Sequence, residues 1–205
     1  MKKHKKTNED DIEFKIIILG DSCSVKIFIS LLFNNKVIST LGFGNLSKEI
    51  ILKDGTKIRL DFIYTLGQEN YQALSITYIK NADCALFTFT LNNRENFNFV
   101  KARIKDFLDN NPNVDFNKVL PAYIMGSNND SECEIKEDEI QEVIKENNLC
   151  GYYVISDKDK EYLNNILVEI GEMLIKIYGK DKRKRNVKLS KKTAKKSNHL
   201  CQPDV

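Results

Sequence analysis

The sequence predicts an α/β protein: a six-stranded, mostly parallel sheet with helices on both faces and one antiparallel edge strand. Three observations predict it. Short apolar runs alternate with amphipathic stretches, the pattern of strands buried on both faces and helices that cover them. One Asp-Gly pair between two strand-like runs interrupts this alternation with a hairpin. No apolar run approaches the roughly 18 residues of a membrane span.

Each element can be justified in order. Phe14–Leu19 (FKIIIL) is a continuous run of β-branched and large apolar residues, read as a buried first strand that ends at the turn residues Gly20, Asp21 and Ser22. Lys26–Phe33 then reads as a short helix. Leu46–Leu52 and Lys57–Ile63 flank Lys53-Asp54-Gly55-Thr56 and form the hairpin. Cys84–Leu91, Val119–Met125 and Gly151–Ser156 are three further strands. Helical spacing links Phe97, Val100, Ile104, Phe107 and Leu108, then Ile140, Val143 and Ile144. The longest stripe runs through Tyr162, Ile166, Ile170, Met173, Leu174 and Ile177. Each stripe is expected to be a core face.

Charge divides the chain. The net charge of +3 combines +1 in residues 1–11, −6 in residues 12–178 and +8 in residues 179–205. This predicts one acidic folded domain over 12–178 between a disordered start, 1–11, and a disordered basic tail, 179–205. The start has the basic end of a secretory signal but no apolar stretch after it. The five cysteines, Cys23, Cys84, Cys133, Cys150 and Cys201, are odd in number and lack a CxxC pair. They suggest reduced thiols in a cytoplasmic setting rather than a disulfide framework or a zinc site. His4 and His199 lie in the polar ends, away from any expected site.

Ligands of such sheets bind beyond the carboxyl ends of the strands. The segment Gly20-Asp21-Ser22-Cys23-Ser24-Val25-Lys26-Ile27 is read as the loop after the first strand. It partly follows G-x-x-x-x-G-K-[ST], whose backbone N–H groups cradle phosphates. Gly20 and Lys26 fit. Val25 stands in place of the second Gly, and Ile27 in place of the Ser/Thr.

FKIIILGDS, STLGF at 39–43, TLGQENYQALSITYIKNADCALFTFT at 65–90 and NNRENF at 92–97 resemble the Rab branch of the Ras-like small GTPases. The resemblance spans Phe14 to Tyr178. It implies the three-layer P-loop NTPase (small G-protein) fold with about five helices. It also implies GTP or GDP as ligand and a role in intracellular vesicle traffic.

The family's site carries over residue by residue. Gly20 to Lys26 would form the phosphate loop, with Lys26 as its cation. The duller reading of Lys26 is a solvated lysine opening a helix, and of Cys23 an inert small residue. Thr40 matches the threonine of the first switch, which responds to Mg²⁺ and the γ-phosphate; the bland alternative is a strand-edge threonine. Gly67 would offer an N–H to that phosphate. Gln68 is the catalytic candidate, since it would orient the attacking water. Asp130 would read the guanine N–H groups, or else serve as a turn or capping residue. Ser156 and Lys158 match the last base-binding stretch. Besides Val25, further positions depart from the pattern. Ile27 has no oxygen for Mg²⁺, Tyr64 replaces the aspartate that holds the metal's water shell, and Asp157 puts a carboxylate near the guanine carbonyl. With both metal positions lost, Mg²⁺ is not expected in the family manner. Each ~2.7 kcal/mol of lost transition-state stabilisation slows hydrolysis ~10²-fold. The open alternative is a nucleotide-free interaction scaffold.

The tail suggests a third theme. Residues 180–196 hold the ten cations of the tail, which would favour an anionic membrane surface. A nuclear or nucleic-acid-binding adaptor is the weaker alternative, because the tail has no aromatic residue for base stacking. Cys201 does not sit in a C-a-a-X ending. The expected partners are effector and regulator proteins, and the expected state is a monomer.

Overall fold

The computed structural model describes residues 12–33, 42–66, 79, 82–110, 120–127, 132–156 and 160–180. Six strands form one sheet: β1 (Ile12–Gly20), β2 (Gly42–Ile51), β3 (Lys57–Leu66), β4 (Cys84–Thr90), β5 (Leu120–Ser127) and β6 (Leu149–Ile155). Their spatial order is β2-β3-β1-β4-β5-β6. Only the β2–β3 pair is antiparallel. Four helices are present among the described residues: α1 (Ser22–Leu32), α2 (Arg94–Asn110), α3 (Glu137–Asn147) and α4 (Lys160–Tyr178). The remaining expected helix, between β3 and β4, lies outside the described residues.

The period-two pleat of β1 explains the three layers. Phe14, Ile16 and Ile18 face one side and pack with the buried stripes of α1 and α4. Ile17 and Leu19 face the other, towards α2 and α3. All seven residues of β4 are buried, as its unbroken apolar run requires. Aromatic rings fasten both layers. Phe33 meets Phe62 edge-on at 6.0 Å, and Phe87 meets Phe107 edge-on at 5.9 Å. Full burial, as for Phe62, Phe87 and Phe107, contributes about 1.5–3 kcal/mol for each side chain.

Three expectations about local structure are corrected. The strand β2 begins at Gly42, not Leu46, because its backbone pairs with β3 out to Gly42 opposite Leu66. In α4 the core face is Leu163, Ile166, Leu167, Ile170 and Leu174. Tyr162 and Ile177, 42% and 40% exposed, lie outside it. The third correction bears on function: α1 begins at Ser22, four residues before the expected start.

The ends of the sheet have different roles. Gly20, Leu66, Thr90, Ser127 and Ile155 end the parallel strands on one edge, the carboxyl pole. The opposite, amino pole holds the β2–β3 turn, closed by Leu52 N–H to Thr56 O at 2.9 Å. There Lys180, just after α4, donates from Nζ to Asp54 Oδ2 at 2.9 Å and Thr56 Oγ1 at 2.7 Å.

Candidate functional site at the carboxyl pole

The chain does not form a loop after β1. Gly20 is the last residue of β1, Asp21 is the N-cap, and Ser22 to Ile27 are helical. The reason is visible residue by residue. Asp is a favoured N-cap because its side-chain oxygen accepts an otherwise orphaned N–H at the helix start. Asp21 Oδ1 accepts the Cys23 N–H at 2.8 Å and the Ser24 N–H at 3.1 Å. Asp21 Oδ2 is buried and has no hydrogen-bond partner among the described residues.

Ser24 fixes this first turn to the sheet. Its hydroxyl donates to Thr88 O at 3.0 Å or Asp21 O at 3.1 Å, and lies 3.1 Å from Thr88 Oγ1. Thr88 also explains Gly20. A Cβ at residue 20 would sit 2.3 Å from both Thr88 O and Thr88 Oγ1, so β1 can pass only as glycine. Thr88 is the residue that the sequence reasoning missed. Its signal was slight: one of two threonines in the otherwise apolar CALFTFTL.

The positions with altered side chains are packed into the fold. Val25 is fully buried. Ile27 is half-buried against the core beneath α1 and α4. Tyr64 is 7% exposed in that same core, and burial pushes its phenol above its ordinary pKa. Its ring lies against Gly44, its antiparallel partner, where a Cβ would come within 2.2 Å of it. Among the described residues, no group of three or more His, Cys, Asp or Glu side chains is placed to hold a metal.

The fit to a nucleotide can be tested on these facts. A phosphate loop presents open N–H groups to an anion. Here the Cys23 and Ser24 N–H groups already serve a carboxylate, and Val25 and Tyr64 belong to the core. As placed, these residues do not fit the phosphates or the Mg²⁺ that the resemblance implies. Lys26 is half-buried on α1. Ser156 follows β6 directly and is half-buried at the same pole. Thr40, Gly67, Gln68, Asp130, Asp157 and Lys158 lie outside the described residues.

Comparison with known proteins agrees with the architecture. The Ras family matches residues 15–176, from within β1 to the last turn of α4. The chain therefore belongs to the Ras family, among its Rab-like small GTPases. It is similar to Ras-related protein Rab-9A of Rattus norvegicus, 26% identical over 94% of this chain and 90% of that one. The "Probable Rab-related GTPase" of Acanthamoeba polyphaga mimivirus is 28% identical over 86% of this chain and 82% of its own. The Ypt/Rab-type GTPase ypt71 of Schizosaccharomyces pombe is 30% identical over a shorter stretch, 46% of this chain and 47% of its own.

Proposed function

We propose that this protein is a Rab-type regulator of intracellular vesicle traffic that works by binding effector and regulator proteins, with GTP hydrolysis impaired. Family membership supports the Rab-type role and supports GTP or GDP as the ligand class. The resemblance would give Thr40, Gly67 and Gln68 the γ-phosphate side, and Asp130, Ser156 and Lys158 the base. The single observation carrying the loss of hydrolysis is the packing of Val25 and Tyr64 into the core, at positions where the family approaches phosphate and metal. Metal charge and its bound water supply much of phosphoryl-transfer catalysis, and Gln68 alone cannot replace them. Single-turnover GTP hydrolysis with Mg²⁺ tests this. Turnover at the family's ordinary unassisted rate would refute it.

A specific observation favours a second reading, a nucleotide-free interaction scaffold. The Asp21 cap occupies two N–H groups that a phosphate would need. Denaturing the purified protein and assaying the supernatant for guanine nucleotide separates the readings. Stoichiometric GDP or GTP supports the switch, and an empty protein supports the scaffold.

The proposed location is cytoplasmic and peripheral on endomembranes. No helix among the described residues is long and apolar enough to cross a membrane. The ten cations of residues 180–196 supply attraction to anionic lipid, about 1 kcal/mol for each one near the surface. Binding to anionic vesicles that falls with salt would support the tether, and preferential binding to RNA would favour the adaptor alternative.

A further inference from the structure

We propose that the free edge of β6 is a docking site for an extended, basic peptide segment of a partner protein, which adds to the sheet as a further strand. The site holds for either reading of the nucleotide pocket.

The backbone makes the edge available. β6 is the last strand in the order β2-β3-β1-β4-β5-β6 and pairs with β5. Among the described residues no strand lies on its other side. An edge strand presents N–H and C=O groups with which another chain can pair, so proteins usually blunt such edges with charge, proline or a bulge. The opposite edge is blunted by charge, since β2 carries Lys48 and Glu49. β6 is not. Its seven residues, LCGYYVI, contain no charged side chain and no proline.

The side chains beside this edge are apolar and aromatic. Tyr152 packs on the α2–α3 side of the sheet and Tyr153 on the α1–α4 side, both half-buried. Val154 and Tyr162 are two of the five large hydrophobic side chains exposed among the described residues. Tyr162, in the first turn of α4, lies close enough to Tyr152 and Tyr153 to act electrostatically on both phenols. A strand added here meets apolar surface on both faces, and its alternate side chains reach each one.

Charge selects the occupant. Residues 132–148, which lead into and form α3, hold seven acids and two lysines, a net −5 against −6 for the whole of residues 12–178. α3 packs on β6, and Glu137 in its first turn acts on the Tyr152 phenol. On the other face Tyr153 Oη donates to Glu169 Oε2 at 2.7 Å. A carboxylate thus stands on each face of the strand. Lysine or arginine at the flanks of an incoming segment finds complementary charge there. A second copy of this chain, paired antiparallel through the same edge, would instead bring acidic α3 beside its own duplicate.

The test uses the full chain and a fluorophore-labelled synthetic peptide, KKVTVTVKK. Anisotropy should saturate below millimolar peptide. KKVTPTVKK, whose proline removes a strand donor, and EEVTVTVEE, which reverses the flanking charge, should each bind at least about tenfold more weakly. Val154→Lys changes an exposed side chain and puts a charge on the edge; it should weaken KKVTVTVKK about tenfold. The amide resonances of Gly151–Val154 should shift on titration, and those of Gly42–Ile51 should not. Absence of saturation overturns the proposal. So does either altered peptide binding as tightly as KKVTVTVKK, or Val154→Lys equal to wild type, or shifts confined to β2. A full chain that elutes as a dimer, left intact by the peptide, would assign the edge to a second copy and overturn it too.

Discussion

The two poles of the sheet hold charge in different ways. At the amino pole, charged side chains meet one another on the surface. Lys180 pairs with Asp54 at 2.9 Å, and Lys53 with Glu172 at 3.3 Å. At the carboxyl pole, the Asp21 carboxylate meets backbone N–H groups in a half-buried setting, where one of its oxygens is sealed from water. Exposed pairs contribute little, because water and salt already screen them. A carboxylate bound to the backbone at a helix start instead decides where that helix begins. The amino pole therefore tolerates change, while the carboxyl pole sets the local conformation of the site.

The largest expected effect comes from forcing the family's acid back into the carboxyl pole. Tyr64→Asp would exchange a buried ring on Gly44 for a carboxylate in an apolar core. A loss of roughly 3–5 kcal/mol is expected in urea denaturation. An unchanged midpoint would mean that this position opens to water and could still host a metal.

Ser24→Ala should have the next largest effect. It removes a buried hydroxyl that bonds α1 to β4 and strips a partner from Thr88 O. A destabilisation of about 1–3 kcal/mol is expected. A negligible change would show that the first turn of α1 is held by its cap alone.

The cap itself has a sharper signature in a pair of variants. Asp21→Ala should cost about 1 kcal/mol, and Asp21→Gly only a few tenths. Equal losses in thermal melts would argue that Asp21 acts through something other than the Cys23 and Ser24 N–H groups.

The smallest effect is expected for an exposed pair between α2 and α3. Arg94 forms a two-pronged contact with Glu139, and the Glu139 carboxylate accepts the Lys136 N–H at 3.2 Å. The Arg94 hydrogen bond first, and the Lys136 N–H second, lower the Glu139 pKa from 4.5 to about 2. A depressed carboxylate stabilises the fold above its unfolded pKa and loses that contribution as pH falls through the folded value. Denaturant midpoints of wild type and Arg94→Gln should therefore differ slightly at neutral pH and converge towards pH 2. High salt should shrink the gap at every pH. A gap that persists in acid would assign it to packing of the arginine stem.

The elements were legible because periodicity reports burial. The apolar residues of Phe14–Leu19 and Cys84–Leu91 are buried, as are Phe97, Val100, Ile104 and Phe107 of the first long helical stripe, with Leu108 partly buried beside them. The start of β2 was not legible, since Gly42, Phe43, Gly44 and Asn45 show no alternation and join the sheet through pairing with β3. The missed start of α1 has a different cause. The spacing of Gly20 and Lys26 suggests a loop, whereas Asp21 is equally a helix-start signal, and it is the helix that forms. Once Val25 replaces glycine, nothing in Ser22 to Ile27 demands a loop. Thr88 left only a slight mark in the sequence, because its importance comes from lying opposite Gly20 in the register of β1 and β4.

The pairing of Lys180 with the Asp54–Thr56 turn has a consequence of its own. It places Lys180 at the amino pole, while Asp21 sits at the far end of β1. Nine strand residues separate the poles, a span of about 30 Å. Physiological salt screens charge over about 8 Å. Charge at Lys180 itself is thus screened from the start of α1.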